Sequence, residues 1–286
     1  MQRARQVLAE DNFVARPHYR SPSYFIEASG EKEIEKIVSE LLDGLEPDIE
    51  RLVFIGRSMS GIQAYLRGRA LHDTTLPPVT DFPFSIGRSN QAISNEQRVG
   101  LRRHLAEHQL DPMTLRSQSG RVLLLDFVYS GSSLVSLLAE ISKWADELQL
   151  NSMLSQKIAI QAYYPARLLA ATHLRGIARE SARELGQWVE PTELEIEEAT
   201  LRLRLPRKDE IRALASQVRA TAISDELYVY AGIHGPQAQA SFTPDLWVSG
   251  TGPNDSFDAR ALTELEYLFS LGARSSSPIG ALLSEP

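Results

Sequence analysis

Cysteine is absent from the 286 residues. Its absence excludes disulfides, thiolate metal sites, iron–sulfur clusters and cysteine nucleophiles. It is compatible with a reducing compartment, and a cytoplasmic location is the expectation. Long apolar runs are also missing: a stretch such as Val122-Leu123-Leu124-Leu125 stops after a few residues, far short of the roughly 20 that a membrane-spanning helix needs. Met1 to Asn12 carry charge and lack the hydrophobic stretch of a secretory signal, so no membrane partner is expected. Positive charge is not in excess. Thirty Lys and Arg against 37 Asp and Glu leave a net charge of −7, which argues against a chain-wide electrostatic grip on nucleic acid. No internal repeat or low-complexity tract stands out.

The remainder is ordinary globular material, 43% hydrophobic and 23% charged, long enough for one large domain or two small ones. Residues 1–30, with Arg16-Pro17-His18 and Ser21-Pro22, read as an irregular arm. From Glu31, apolar residues Ile34, Ile37, Val38, Leu41, Leu42 and Leu45 recur at helical spacing until Gly44 and Pro47. Arg51 to Gly56 is a short apolar run stopped by glycine, a buried strand. Gly61 to Arg69 reads as a helix. Val79 to Ile86 reads as a strand in which Pro83 demands an edge or a bulge. Glu96 to Gln109 reads as a helix, Arg121 to Val128 as the strongest strand, and Leu134 to Leu148 as a long amphipathic helix. Lys157 to Tyr163 reads as a further strand, after which Pro165 opens a helix toward Ile177.

This alternation predicts an α/β domain over 31–183, a mainly parallel sheet flanked by helices. After about Glu180 the character shifts. Leu201, Leu203 and Leu205 alternate with Arg202 and Arg204, Asp209 to Val218 reads as a helix and Glu226 to Ala231 as a strand. Residues 184–286 are therefore expected to form a C-terminal α+β cap or second domain.

One stretch carries chemistry. A buried strand ends at Asp126, turns through Tyr129-Ser130-Gly131-Ser132-Ser133 and enters a helix. Helix N-termini present unpaired N–H groups and positive potential. Gly131 allows close approach of an oxyanion and the serines offer hydroxyls, so the turn has the makings of a phosphate cradle. Serines in such turns also serve simply as helix caps. Asp126, at the carboxyl end of its strand, would face the same crevice and could accept sugar hydroxyls or help hold a divalent cation.

The order of residues resembles the phosphoribosyl-pyrophosphate (PRPP) motif of type I phosphoribosyltransferases, closest to the hypoxanthine-guanine type, over residues 35–175. Val122-Leu123-Leu124 match the motif's apolar run, Leu125 and Asp126 fall on its two acids, Phe127 and Val128 on its second apolar pair, and Ser130 to Ser133 on its phosphate loop. Phe54-Ile55-Gly56-Arg57-Ser58-Met59-Ser60-Gly61 resembles the family's pyrophosphate loop, and Pro77 to Ile86 the strand that leads into its catalytic loop.

The resemblance implies a transferase that binds PRPP or a nucleotide 5′-phosphate and passes phosphoribose to a nitrogenous base. The 5′-phosphate would lie on Ser130, Gly131, Ser132 and Ser133. Arg57, Ser58, Met59, Ser60 and Gly61 would hold the pyrophosphate, with Mg²⁺ balancing its charge. Asp126 would hold the ribose and serve as the metal ligand, Arg88 would contact phosphate from the catalytic loop, and Tyr129 would stack on or donate to the base. Two positions depart from the family. Leu125 replaces the first acid and Met59 stands at the usual basic position, which favours the alternative of a non-catalytic PRPP- or nucleotide-binding regulator or interaction protein. A homo-oligomer is left open.

Other candidates are weaker. His104 and His108 have metal-compatible spacing, but a solvated helix face is the expectation. Gly56-Arg57-Ser58-Met59-Ser60 only approximates a nucleophile elbow, so Ser58 is a weak hydrolase candidate. Arg202, Arg204, Arg207 and Lys208 read as a solvated strand face. Tyr163 and Tyr164 suit either base stacking or core packing.

Overall fold

A computed structural model describes residues 14–15, 28–56, 59–84, 93–128, 132–150, 156–165, 215, 217–224, 227, 248, 256–257 and 259–275. Apolar runs become the strands of one sheet: β2 (Ile49–Ile55), β3 (Val79–Phe82), β4 (Arg121–Phe127), β5 (Ile158–Pro165) and β6 (Gln217–Ile223). They lie in the order β3-β2-β4-β5-β6, and every pairing is parallel. Parallel sheets are covered on both faces, which is why β4 is apolar at nearly every position. A second, two-stranded parallel pair joins β1 (Val14–Ala15) to β7 (Ser256–Phe257).

The helices form two layers. The α1 (Ala28–Asp43), α2 (Ser60–Ala70) and α6 (Ala259–Ser275) helices pack against Leu123, Leu125 and Phe127 of β4 through Ile34, Val38, Ile62, Leu66, Leu265 and Leu268. On the other face, α3 (Asn95–Glu107), α4 (Pro112–Ser117) and α5 (Ser132–Glu147) cover Val122 and Leu124 through Leu101, Leu105, Leu115, Leu137 and Ile141. Successive β4 residues thus feed opposite cores, as the two-residue period of a strand requires. Each fully buried Leu, Ile or Phe contributes about 1.5–3 kcal/mol.

Helix ends follow local chemistry. Ser94 caps α3 in a capping box, its hydroxyl accepting from the Gln97 N–H at 3.2 Å while its own N–H donates to Gln97 Oε1 at 2.9 Å. Asp111 accepts from the N–H groups of Met113 and Thr114 at 3.1 and 3.0 Å, with Pro112 in the first turn of α4. Glu40 O accepts from the Gly44 N–H at 3.1 Å where α1 ends.

The α/β expectation holds, with every strand pair parallel. One local reading is corrected. Gln217 and Val218 belong to β6 rather than to a helix, because Gln217-Val218-Arg219-Ala220-Thr221 pairs residue by residue with β5; tertiary pairing overrides local propensity. Pro165 is itself the last residue of β5, opposite Ile223, and the helix expected beyond it toward Ile177 lies outside the described residues. β3 ends before Pro83 and is the edge strand that the proline demanded. Residues 166–214, including the arginine-rich alternation, lie outside the described residues, as does most of 226–231. Beyond 184, β6 is the edge of the same sheet and α6 packs in the same core as α1 and α2.

Candidate functional site

The topology makes one crevice. From β2 the chain enters α2 on one face of the sheet; from β4 it enters α5 on the other. β2 and β4 are neighbours, with β3 on the far side of β2. Where consecutive connections leave in opposite directions, the loops part above the carboxyl ends of the strands, and ligands of open α/β sheets bind there. Both loops singled out in the sequence, 56–61 and 126–133, leave from these two strands.

At the end of β2 the chain turns sharply. Gly56 has φ +67°, its N–H donates to Phe82 O at 2.8 Å, and a Cβ there would stand 3.0 Å from Phe84 O. Only glycine takes this left-handed conformation without strain. Arg57 and Ser58 lie outside the described residues. Met59 is the N-cap of α2 and supplies no side-chain cap. Its side chain is buried in the α1–α2–α6 core, so any ligand contact from Met59 is made by its backbone. Ser60 is buried, and Gly61 faces Leu268 of α6, whose Cδ1 would be 3.0 Å from a Cβ at position 61.

At the end of β4, Asp126 is the residue between Arg121 and Val128 that is not fully buried. It lies in register with Ala162 of β5. Leu125 points to the opposite layer, fully buried and in register with Phe54. An acid in its place would be a charge in an apolar core. Ser132 opens α5 and Ser133, in its first turn, is half-buried. Tyr129, Ser130, Gly131 and Arg88 lie outside the described residues. The fold therefore brings Gly56, the start of α2, Asp126 and the start of α5 to one edge of the sheet.

Three features near this edge escaped the sequence reading. Arg67 of α2, almost buried, pairs with Asp81 of β3 at 3.3 Å. Gln63, one turn earlier on α2, is buried with an unpaired amide nitrogen. Finally, α2 and α6 cross in backbone contact: a Cβ on Gly68 would stand 1.9 Å from Phe269 O, and one on Gly272 would stand 1.9 Å from Tyr65 O. The glycines are visible in the sequence, but nothing in it says which helix each one meets.

The histidine pair is corrected. His104 is buried, not solvated. Its Nε2 lies 2.7 Å from Pro83 O, and its ring stacks on Phe82 at 4.6 Å and meets His108 edge-on at 4.5 Å. Burial, reinforced by the neighbouring His108, lowers the His104 pKa to about 3. A histidine on the apolar face of α3 is held neutral there to complete the core. Tyr163 takes the packing role, buried edge-on against Phe127 at 6.0 Å; burial raises its phenol pKa above the ordinary value.

Magnesium is usually held by one or two carboxylates together with substrate phosphates. Asp126 provides one carboxylate at the crevice. Among the described residues no cluster of three or more His, Asp or Glu forms a dedicated cage. No helix among the described residues is long and apolar enough to cross a membrane. The chain matches no protein-family model, and no curated protein is significantly similar to it.

Proposed function

We propose that the chain binds PRPP or a nucleotide 5′-phosphate in the crevice above β2 and β4 and transfers phosphoribose to a nitrogenous base. One observation carries the reading. The switch point of the sheet falls between the two strands whose following loops resemble the pyrophosphate and phosphate loops of type I phosphoribosyltransferases. In this reading the N–H groups and hydroxyls of Ser130 to Ser133 bind the 5′-phosphate at the start of α5, where the helix dipole favours an anion. Asp126 accepts from a ribose hydroxyl and orients C1′ toward the acceptor. The segment 57–61 lies against the pyrophosphate, Arg88 adds a cationic contact, and Tyr129 stacks on or donates to the base. Mg²⁺, when bound, neutralises charge on the departing pyrophosphate.

A second reading, a regulator that binds the ligand without turnover, is favoured by the burial of Leu125 and Met59. Both are positions where the family places charge, and here both side chains serve the core.

Isothermal titration with PRPP and Mg²⁺, followed by pyrophosphate-release assays over a panel of bases, separates the readings. The transferase binds and releases pyrophosphate with at least one base. The regulator binds without release. In either case Asp126→Asn weakens binding about tenfold or more, the cost of a lost charge-assisted hydrogen bond. Absence of binding by the wild type removes both readings.

A further inference from the structure

Gln63 stands out in the α1–α2–α6 layer. It is 3% exposed, and its Nε2 is buried without a hydrogen-bond partner. Burying an amide donor without an acceptor is unfavourable, and a Leu or Met would fill such a place without that penalty. On the same helix Arg69 Nε is also buried without a hydrogen bond, but Gln63 is the one neutral amide on it so placed. Arg67, one turn further along the same flank, pairs with Asp81 at 3.3 Å, and the backbone N–H of Gln63 donates to Met59 O at 2.9 Å.

Side chains on a helix lean toward its N-terminus, over the residues three and four positions earlier. For Gln63 these are Ser60 and Met59, the first turn of α2 at the crevice. α3 and α4 begin on the capping side chains of Ser94 and Asp111, whereas Met59 gives α2 none. By that lean, the unmatched Gln63 donor belongs to the same first turn as an N-cap, Met59, that makes no side-chain cap.

We propose that Gln63 is a ligand-binding residue, donating through Nε2 to an oxygen of a pyrophosphoryl group held at the N-terminus of α2. This rests on the reading of the crevice given above and adds one side-chain donor to its pyrophosphate side. It also explains why an amide is kept where packing alone favours a hydrocarbon: the missing acceptor arrives with the ligand.

The test uses two probes, inorganic pyrophosphate with Mg²⁺ and ribose 5-phosphate, titrated into the full chain and into Gln63→Met and Gln63→Glu, with thermal melting of each. The wild type is expected to bind both. Gln63→Met weakens pyrophosphate by about 10- to 100-fold, leaves ribose 5-phosphate within about twofold, and melts at or above the wild-type temperature because the unmatched amide is gone. Gln63→Glu weakens pyrophosphate further, since a carboxylate there repels it.

Unchanged pyrophosphate affinity in Gln63→Met, with ribose 5-phosphate still bound, overturns the role of Gln63 and leaves the crevice assignment standing. Equal loss of both probes with a lowered melting temperature overturns it as well, by making Gln63 structural. Failure of the wild type to bind either probe overturns the crevice assignment itself.

Discussion

At the N-terminal edge of the sheet, Arg121 bonds Asp48 at 2.7 Å and also Glu46, and Arg219 of β6 bonds Glu46 at 2.8 Å. The Arg121 guanidinium holds the Asp48 carboxyl below the usual carboxylate range. A Cβ on Gly120 would stand 2.2 Å from Asp48 O. A hollow beside this edge, bordered by Glu40, Gln161 and Arg219, has room for about 30 Å³, the space of a water molecule. At the C-terminal edge of the same strands, Gly56 turns the chain back, α2 starts with no side-chain cap, Gln63 keeps an unmatched donor and Asp126 is left incompletely buried.

The N-terminal edge is cross-linked by ion pairs, though Arg51 Nε and Gln118 Oε1 are also buried unpaired there, and the C-terminal edge keeps the Gln63 donor. A binding site needs polar groups held in place without being consumed by the protein. The closed edge and the α2–α6 contact provide that holding, and α2 links the two. Its C-terminal half is interlocked with α6, and its N-terminal turn borders the crevice.

The largest effect expected is on that interlock. Gly68→Ala places a methyl where the backbone of α6 already stands, so the helices must separate, at a cost of more than ~3 kcal/mol in urea denaturation. Near-wild-type stability would break the claim that α6 fixes α2.

The next effect is a pH dependence. His104 titrates near 6.5 when unfolded but stays neutral in the fold down to about pH 3, held by burial. Between these values the unfolded chain binds the extra proton, so stability falls as pH drops below about 6.5, by about 1.4 kcal/mol per unit once well below it. Denaturation midpoints at pH 7, 6, 5 and 4 for the wild type and His104→Phe check this: the substitution should flatten the profile.

Third, Arg121→Met opens the closed edge. It should cost about 2 kcal/mol, between the values for surface and buried ion pairs, and leave PRPP affinity unchanged; a loss of affinity would erase the distinction between the edges. The smallest effect is Gly56→Ala, about 1–2 kcal/mol from the left-handed backbone, accompanied by weaker PRPP binding because the turn at the crevice shifts.

The sheet was largely legible from the sequence. Apolar runs ended by Gly56 and Asp126 located β2 and β4, the alternation of strand and helix implied parallel pairing, and Pro83 implied an edge. Helix faces were legible where they were purely apolar, as in α1 and α5. His104 was misread because a buried histidine depends on an acceptor, Pro83 O, that lies 21 residues away. Gln217 and Val218 were misread because their strand state comes from pairing with β5. At the crevice, the placement of Asp126 near the end of β4 and the openings of α2 and α5 were legible from the strand and turn pattern. The buried states of Met59, Leu125 and Gln63 were not, since burial depends on which helices cover them.

The central claim, that a phosphoribosyl ester sits above β2 and β4, is tested most directly by the crystal structure of the chain grown with PRPP and Mg²⁺. The account predicts ligand density at the carboxyl ends of these two strands, with the ribose beside Asp126, the 5′-phosphate at the start of α5 and the pyrophosphate within hydrogen-bond reach of Gln63. Density at any other edge or face of the sheet, or an empty crevice at saturating ligand, would contradict it.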